Sequence, residues 1–222
     1  MPRSSSLLDN PELSARMLRE FPLLFLEMND AQTRFIRVKN RFGKTPKRRL
    51  FEAGNKVGKT FIGIAEDISY SVGYRCWLPP DDPDHKINVA VPNIGLIACE
   101  TMMHSVAEKI EPMLRQLIPK TCQPIFKPGP TGILIRVKLP YGIYGEKCGS
   151  EMHIRSYDQR PDTFEGIDFT GYVHWDEPPD QPVYTAVERG KVVTNSDSWL
   201  TMTPLKSPFI YDMLSMKAAT IV

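Results

Sequence analysis

Phe51-Glu52-Ala53-Gly54-Asn55-Lys56-Val57-Gly58-Lys59-Thr60 is a short apolar run that breaks into a glycine-punctuated loop ending in Gly-Lys-Thr. A loop of this type suits phosphate. Its backbone N–H groups can converge on phosphate oxygens, and a helix beginning near Gly58 turns its partial positive end toward the same anion. In that arrangement Lys59 reaches the β- and γ-phosphates and the Thr60 hydroxyl ligates Mg²⁺. The strict spacing G-x-x-x-x-G-K-[ST] places a glycine where Ala53 stands, and Gly54, one residue later, is expected to supply the backbone freedom instead. The plainer alternative is an ordinary strand–turn–helix that contains Gly-Lys-Thr, so the rest of the chain has to decide.

Tyr172-Val173-His174-Trp175-Asp176-Glu177 is an apolar strand that ends in two adjacent acids, whose side chains diverge to opposite sides. Asp176 suits an Mg²⁺ shell shared with Thr60. Glu177 suits a carboxylate that orients and polarises the water attacking a γ-phosphate. An exposed strand end before the Pro178-Pro179 turn is the alternative, and the position downstream of Gly-Lys-Thr favours catalysis over it. Thr201-Met202-Thr203-Pro204 closes the next strand, so its hydroxyls are expected at the same sheet edge, where Thr203 can sense a γ-phosphate and pass that state onward. His85, His104, His153 and His174 have no metal-ligand spacing and read as structural or surface residues.

The elements that must position these groups alternate. Asn10-Pro11-Glu12 starts a helix with Asn as cap and Pro at the first helical position, running to about Arg19. A second helix is expected after Asp30, through Val38. The basic run Arg34, Arg37, Lys39, Arg41, Lys44, Lys47, Arg48 and Arg49 reads as a solvated face, or as a contact with DNA or with a neighbouring subunit's nucleotide. After the loop, Phe61 to Tyr70 forms a helix with Ile62, Ile64, Ala65 and Ile68 inward. Gly73 to Lys86 is rich in Pro and Asp and reads as a surface excursion. Ile94–Cys99 is a strand covered on both faces, followed by a helix over Thr101–Ile118 that Pro119 ends. Ile133–Leu139 and Glu151–Tyr157 alternate as strands, Pro182 to Lys191 is helical, and Trp199–Thr203 is the last strand. The pattern predicts an α/β fold: a doubly wound, mostly parallel sheet flanked by helices, with ligands beyond the carboxyl ends of its strands.

Composition bounds the rest. A chain of 222 residues holds one sizeable α/β domain and a small appendage. Lys and Arg total 28 against 26 Asp and Glu, a formal charge of +2, so any nucleic-acid contact has to come from a local patch. The four cysteines are spread with no Cys-x-x-Cys, which argues against zinc and against a disulfide scaffold and favours a reducing cytoplasm. No long uncharged apolar segment and no signal-peptide core is present, so no membrane association is expected.

With these motifs in order, roughly Asp30 to Leu214 resembles the ATPase domain of the large terminase subunit, the DNA-packaging motor of tailed double-stranded DNA bacteriophages. The resemblance rests on Ala53–Thr60 as that family's deviant phosphate loop, on Val173-His174-Trp175-Asp176-Glu177-Pro178 as its acidic strand end, and on Leu200-Thr201-Met202-Thr203-Pro204 as its coupling motif. It implies a RecA-like P-loop NTPase of the ASCE type, with residues 1–45 as a helical appendage or lid and 46–222 as the ATPase core. The family's nuclease domain and its cleavage activity are not expected in this chain. The resemblance further implies ATP bound by Gln32, Gly54, Asn55, Lys56, Val57, Gly58, Lys59 and Thr60, with the Gln32 amide on an adenine edge. Mg²⁺ is held by Thr60 and Asp176, catalysis is by Glu177, Lys59 and Lys56, and coupling is by Thr201 and Thr203. Family members commonly carry an arginine in the phosphate loop, where Lys56 keeps the charge and loses the bidentate fork. Many also place an arginine before a glycine upstream of the acidic strand; Glu165 precedes Gly166 here, which leaves Arg155 and Arg160 as candidates for an arginine reaching a neighbour's site. The implied partners are double-stranded DNA, the portal protein, the small terminase subunit and further copies in a ring, in the host cytoplasm. A helicase-like P-loop ATPase and a non-hydrolysing nucleotide-gated interaction module are the alternatives.

Overall fold

A computed structural model, which describes residues 11–204 and 220–221, places these segments in one eight-stranded sheet. Helix α1 (Pro11–Glu20) and a 3₁₀ turn (Pro22–Phe25) lead to α2 (Asp30–Arg37). Strand β1 (Arg48–Glu52) feeds α3 (Lys59–Val72), and β2 (Ile94–Cys99) feeds a π-helical segment (Met102–Ile110) continuous with α4 (Glu111–Leu117). Then come β3 (Ile125–Pro128), β4 (Leu134–Tyr141), β5 (Lys147–Ser156), β6 (Tyr172–Asp176), α5 (Gln181–Thr194), β7 (Asp197–Met202) and β8 (Thr220–Ile221). Strand order is β3-β4-β5-β2-β6-β7-β1-β8, parallel from β5 to β8 along that row. The expected Asn10 cap and the stretch toward Leu214 lie outside the described residues.

Strand alternation divides the interior between the two faces of the sheet. Leu50, Leu96, Ala98, Val173, Trp175 and Leu200 pack with Val183, Ala186 and Val187 of α5. Phe51, Ile97, Cys99 and Trp199 pack on the other face with Ile62, Ile64, Ala65 and Ile68 of α3. Leu23, Phe35 and Ile36 of the N-terminal segment are fully buried in that second core. The Phe35 and Phe51 rings stack at 5.2 Å, an arrangement worth about 0.5–1.5 kcal/mol beyond area burial.

Several segments differ from the sequence reading. The basic run is mostly a solvated face, with Arg34, Arg37, Lys39, Arg41, Lys44 and Lys47 exposed, but three of its members are paired: Arg37 with Asp82 at 2.7 Å, Lys39 with Asp84, and Arg48 with Glu188 at 2.5 Å. Arg49 is buried among the rings of Phe35, Tyr70 and Trp199 and pairs with Glu66 at 2.8 Å. Its charge is neutralised inside the fold, which a linear run of cations cannot disclose. The Gly73–Lys86 stretch is a surface excursion only over Pro79–Pro83, because Cys76, Trp77 and Leu78 are buried and Arg75 reaches back to Glu66 at 2.7 Å. Here the Pro and Asp residues shape a loop folded onto the core. The Thr101–Ile118 helix opens into π geometry before α4, where Pro112 has no N–H to continue an α ladder. Strand β3 is too short and exposed to register as an alternating run, and β3, β4 and β5 form an antiparallel meander.

Candidate active site

The loop after β1 turns twice through the left-handed region, at Lys56 (φ 66°) and at Gly58 (φ 83°). Gly58 caps α3, and a Cβ added there would lie 2.5 Å from the Gln32 amide nitrogen. Gly54 does not supply the freedom expected of it. It has no positive φ, and a Cβ there would meet nothing within 4 Å. The turn falls later in the loop, nearer the helix it has to start. The Lys59 ammonium is largely buried and donates to the Ala53 and Gly54 carbonyls, each at 2.9 Å. It therefore sits across the cup of its own loop, while Lys56 is exposed at the rim.

Gln32 stands beside this loop because α2 is capped there. Its carbonyl oxygen accepts from the Asn29 backbone N–H at 3.1 Å, and its amide donates to the Gly58 carbonyl at 3.2 Å. Asn29 completes the capping box and donates to the Val57 carbonyl at 3.1 Å. The N-terminus of α2 is thus bolted to the phosphate loop, and one hydrogen bond is already made at each end of the Gln32 amide.

The acidic end of β6 meets the first turn of α3. The Thr60 hydroxyl donates to Asp176 Oδ1 at 2.9 Å, and the Thr201 hydroxyl reaches the same oxygen at 3.0 Å. Parallel pairing puts Asp176 opposite Cys99 on one side and Thr201 on the other. Glu177 diverges from its neighbour because its own backbone is left-handed, at φ 72°. The Tyr157 hydroxyl, 2.7 Å from the Glu177 carbonyl and 3.0 Å from that of Ala98, holds this turn. The Glu177 carboxylate accepts from the Thr203 N–H at 3.1 Å and from its hydroxyl at 2.9 Å. Thr203 Oγ1 also lies 3.3 Å from the Asn55 side chain, so loop, acidic strand end and the end of β7 share one rim.

Neither candidate arginine enters this cluster. Arg160 is exposed and paired with its near neighbour Asp162. Arg155 is in register with Ala98, on the sheet face opposite Asp176; its Nε is buried without a partner, and burial together with nearby Arg136 lowers its pKa.

The sequence reading placed His174 among structural residues and passed over Asp67 and Tyr157. His174 is fully buried, with Nδ1 2.8 Å from Asp67 Oδ2 and Nε2 3.2 Å from Thr201 Oγ1. Burial pushes the Asp67 carboxyl up to about 6 against the pull of His174. Burial works to lower the imidazole, but Asp67 outweighs it and the histidine is raised. The available signal was the period of two: His174 shares a face with Asp176 and so points where the chemistry is.

Thr60 and Asp176 offer hard oxygen donors, one hydroxyl and one carboxylate. That set fits Mg²⁺, which commonly takes one or two carboxylates and completes its shell with water and substrate phosphates. Among the described residues no group of three or more His, Cys, Asp or Glu is arranged to hold a metal by itself. A groove lined by Lys47, Arg48, Tyr184, Glu188 and Val192 lies at the opposite, N-terminal edge of the sheet, where Arg48 and Lys191 are both committed to Glu188.

Strand order, the loop–helix junction at Gly58 and the acidic end of β6 together make a RecA-like P-loop α/β fold. Solved structures share it: the large terminase ATPase domain of Thermus phage P74-26, as an arginine-to-alanine mutant, superposes with a TM-score of 0.60 at 18% identity, covering 88% of this chain and 73% of that one. A second structure of that domain gives 0.56 at 19% identity, covering 88% and 72%. No family model and no curated protein matches the chain.

Proposed function

We propose that this chain is the ATP-hydrolysing domain of a viral genome-packaging motor that drives double-stranded DNA into a procapsid. The observation that carries the reading is the 2.9 Å contact between Thr60 and Asp176, residues 116 apart, which brings the phosphate-loop helix and the acidic strand end to one point. The likeness to a phage large terminase ATPase domain supports the choice among P-loop enzymes.

Lys59 and the N–H groups of residues 54–60 bind the triphosphate, and exposed Lys56 adds charge at the rim. Thr60 and Asp176 would hold Mg²⁺, which would supply charge neutralisation to the triphosphate. Glu177 orients and polarises the attacking water. Gln32 keeps one further hydrogen bond available at each end of its amide for an adenine edge. Thr203, bonded to Glu177 and close to Asn55, is placed to feel a change at the γ-phosphate, and Thr201 backs Asp176. Arg155 and Arg160 are the candidates for an arginine that reaches another copy's site in a ring, and Arg160 is the one exposed on the surface. The portal protein, the small terminase subunit and double-stranded DNA are the expected partners, in the host cytoplasm.

The test is Glu177→Gln. With DNA present and the protein concentrated enough to associate, the variant should bind ATP as the wild type does and lose turnover by about 10²-fold or more, the scale of one preorganised polar group. Undiminished turnover would remove Glu177 from the mechanism. Separation of duplex strands, in place of DNA-stimulated hydrolysis without unwinding, would shift the reading to a helicase-like ATPase.

A further inference from the structure

Behind Asp176 runs a chain of polar groups closed to water. Asp67, His174 and Thr201 are each fully buried, and they come from α3, β6 and β7. The order of contact is Asp67 Oδ2 to His174 Nδ1 at 2.8 Å, His174 Nε2 to Thr201 Oγ1 at 3.2 Å, and Thr201 Oγ1 to Asp176 Oδ1 at 3.0 Å. Interior polar groups of this kind are costly, and here one oxygen, Asp67 Oδ1, has no hydrogen-bond partner. Apolar residues would fill the same space at less cost. Helix α3 also gives up a side chain for the ring: a Cβ at Gly63 would lie 2.5 Å from His174 Cε1.

What the chain controls is one hydroxyl. A threonine hydroxyl rotates and has a single proton, and Thr201 has the Trp175 carbonyl at 3.4 Å as a competing acceptor. His174 Nε2 lies 3.2 Å from that hydroxyl oxygen and restricts where it can sit. With Thr60 on the same carboxylate oxygen, Oδ1 is gripped from two elements, which fixes the carboxylate plane and leaves Oδ2 for a metal shell.

We propose that His174, oriented by Asp67, is a positioning residue for the metal-binding carboxylate, acting through Thr201. The inference rests on the Mg·ATP reading of the site and adds to it a buried supporting group. Outer partners of metal ligands typically contribute about 10–100-fold in metal affinity, which sets the expected scale.

The experiment measures ATP affinity by calorimetry in magnesium and again in EDTA, with thermal melts to confirm folding. Thr201→Val and His174→Asn should each weaken binding in magnesium by roughly tenfold or more while leaving affinity in EDTA as in the wild type. Thr201→Ser and His174→Gln, which keep a hydrogen-bonding group at the Thr201–His174 contact, should recover most of the loss. The double variant Thr201→Val with His174→Asn should be no worse than Thr201→Val alone, because the groups act in series. Equal losses in magnesium and EDTA, or losses that add in the double variant, would reduce His174 to a packing residue and overturn the proposal. If His174→Asn does not fold, Asp67→Asn, which removes the carboxylate that orients the ring, takes its place with the same expected loss and the same additivity test against Thr201→Val. A wild type whose ATP affinity ignores magnesium would instead remove the metal site itself, and the proposal with it.

Discussion

Glu177 takes a conformation that few non-glycine residues adopt, with φ at 72°, and holding it costs about 1–3 kcal/mol that the surroundings must supply. Tyr157 supplies part of it through its hydroxyl on the Glu177 carbonyl at 2.7 Å, the Glu177 N–H donates to the Thr201 carbonyl at 2.9 Å, and Thr203 adds two hydrogen bonds to the carboxylate. Tyr157→Phe keeps the ring and removes only the clasp. It should leave ATP binding unchanged and lower turnover by up to about tenfold, the loss expected from one hydrogen bond of about 1 kcal/mol that sets a catalytic group. Steady-state kinetics that show a raised KM and an unchanged kcat would contradict this role. The meeting of the Lys59–Thr60 loop end with Asp176 and Glu177 at one rim was legible in the sequence, because strand–loop–helix and acidic strand-end motifs are defined by residue type and spacing. Tyr157 was not, since its hydroxyl matters only once β5, β2 and β6 lie side by side. Gly54 was misread for a related reason: composition shows that a loop has glycine to spare, but the path of the loop decides which residue turns.

At the scale of elements, α3 has two duties that pull against each other. It starts at the phosphate loop, and its flank accommodates His174 at Gly63. Glycine inside a helix costs about 0.5–1 kcal/mol relative to alanine, so Gly63→Ala ought to stabilise a helix in isolation. In this fold the added methyl would lie 2.5 Å from His174 Cε1, and overpacking of that kind typically costs about 1–3 kcal/mol. The net outcome should be destabilisation, read as a lower denaturant midpoint with an unchanged m-value, together with weaker magnesium-dependent ATP binding as His174 is displaced. A midpoint at or above wild type would show that the ring has room to move. Helix and strand identities were readable from periodicity through α3, β2, β6, α5 and β7. The β3–β5 meander was harder to see, because alternation looks the same in parallel and antiparallel strands, and only the short link at residues 142–146 between β4 and β5 demands a hairpin.

Across the whole molecule, α2, the sheet and α3 are joined through one buried carboxylate. Glu66 of α3 pairs with Arg49 of β1 at 2.8 Å and with Arg75 of the following loop at 2.7 Å, while the Arg49 guanidinium lies over Phe35 of α2 and Trp199 of β7. A sequence shows three charges far apart in an ordinary +2 chain, and nothing in their spacing says that they meet in the dark of the core. Burial raises the Glu66 pKa, but Arg75 and Arg49 outweigh it, and the net displacement is downward from the ordinary 4.5. The sign follows from proton counting. A carboxylate with a depressed folded pKa binds fewer protons folded than unfolded, so its contribution is complete above 4.5 and fades as the pH falls through the lower folded value. Glu66→Gln removes the charge and leaves two buried guanidiniums facing a neutral amide, a change on the order of 3–5 kcal/mol. In a chain of this size that should lower Tm by roughly 10 °C at neutral pH. Below 4.5 the gap between wild type and variant should narrow, since the wild type then loses by protonation what the variant lost by substitution. Melting curves collected from neutral pH downward check both parts, and a gap that stays constant into acid would mean that the Glu66 charge does not hold these layers together.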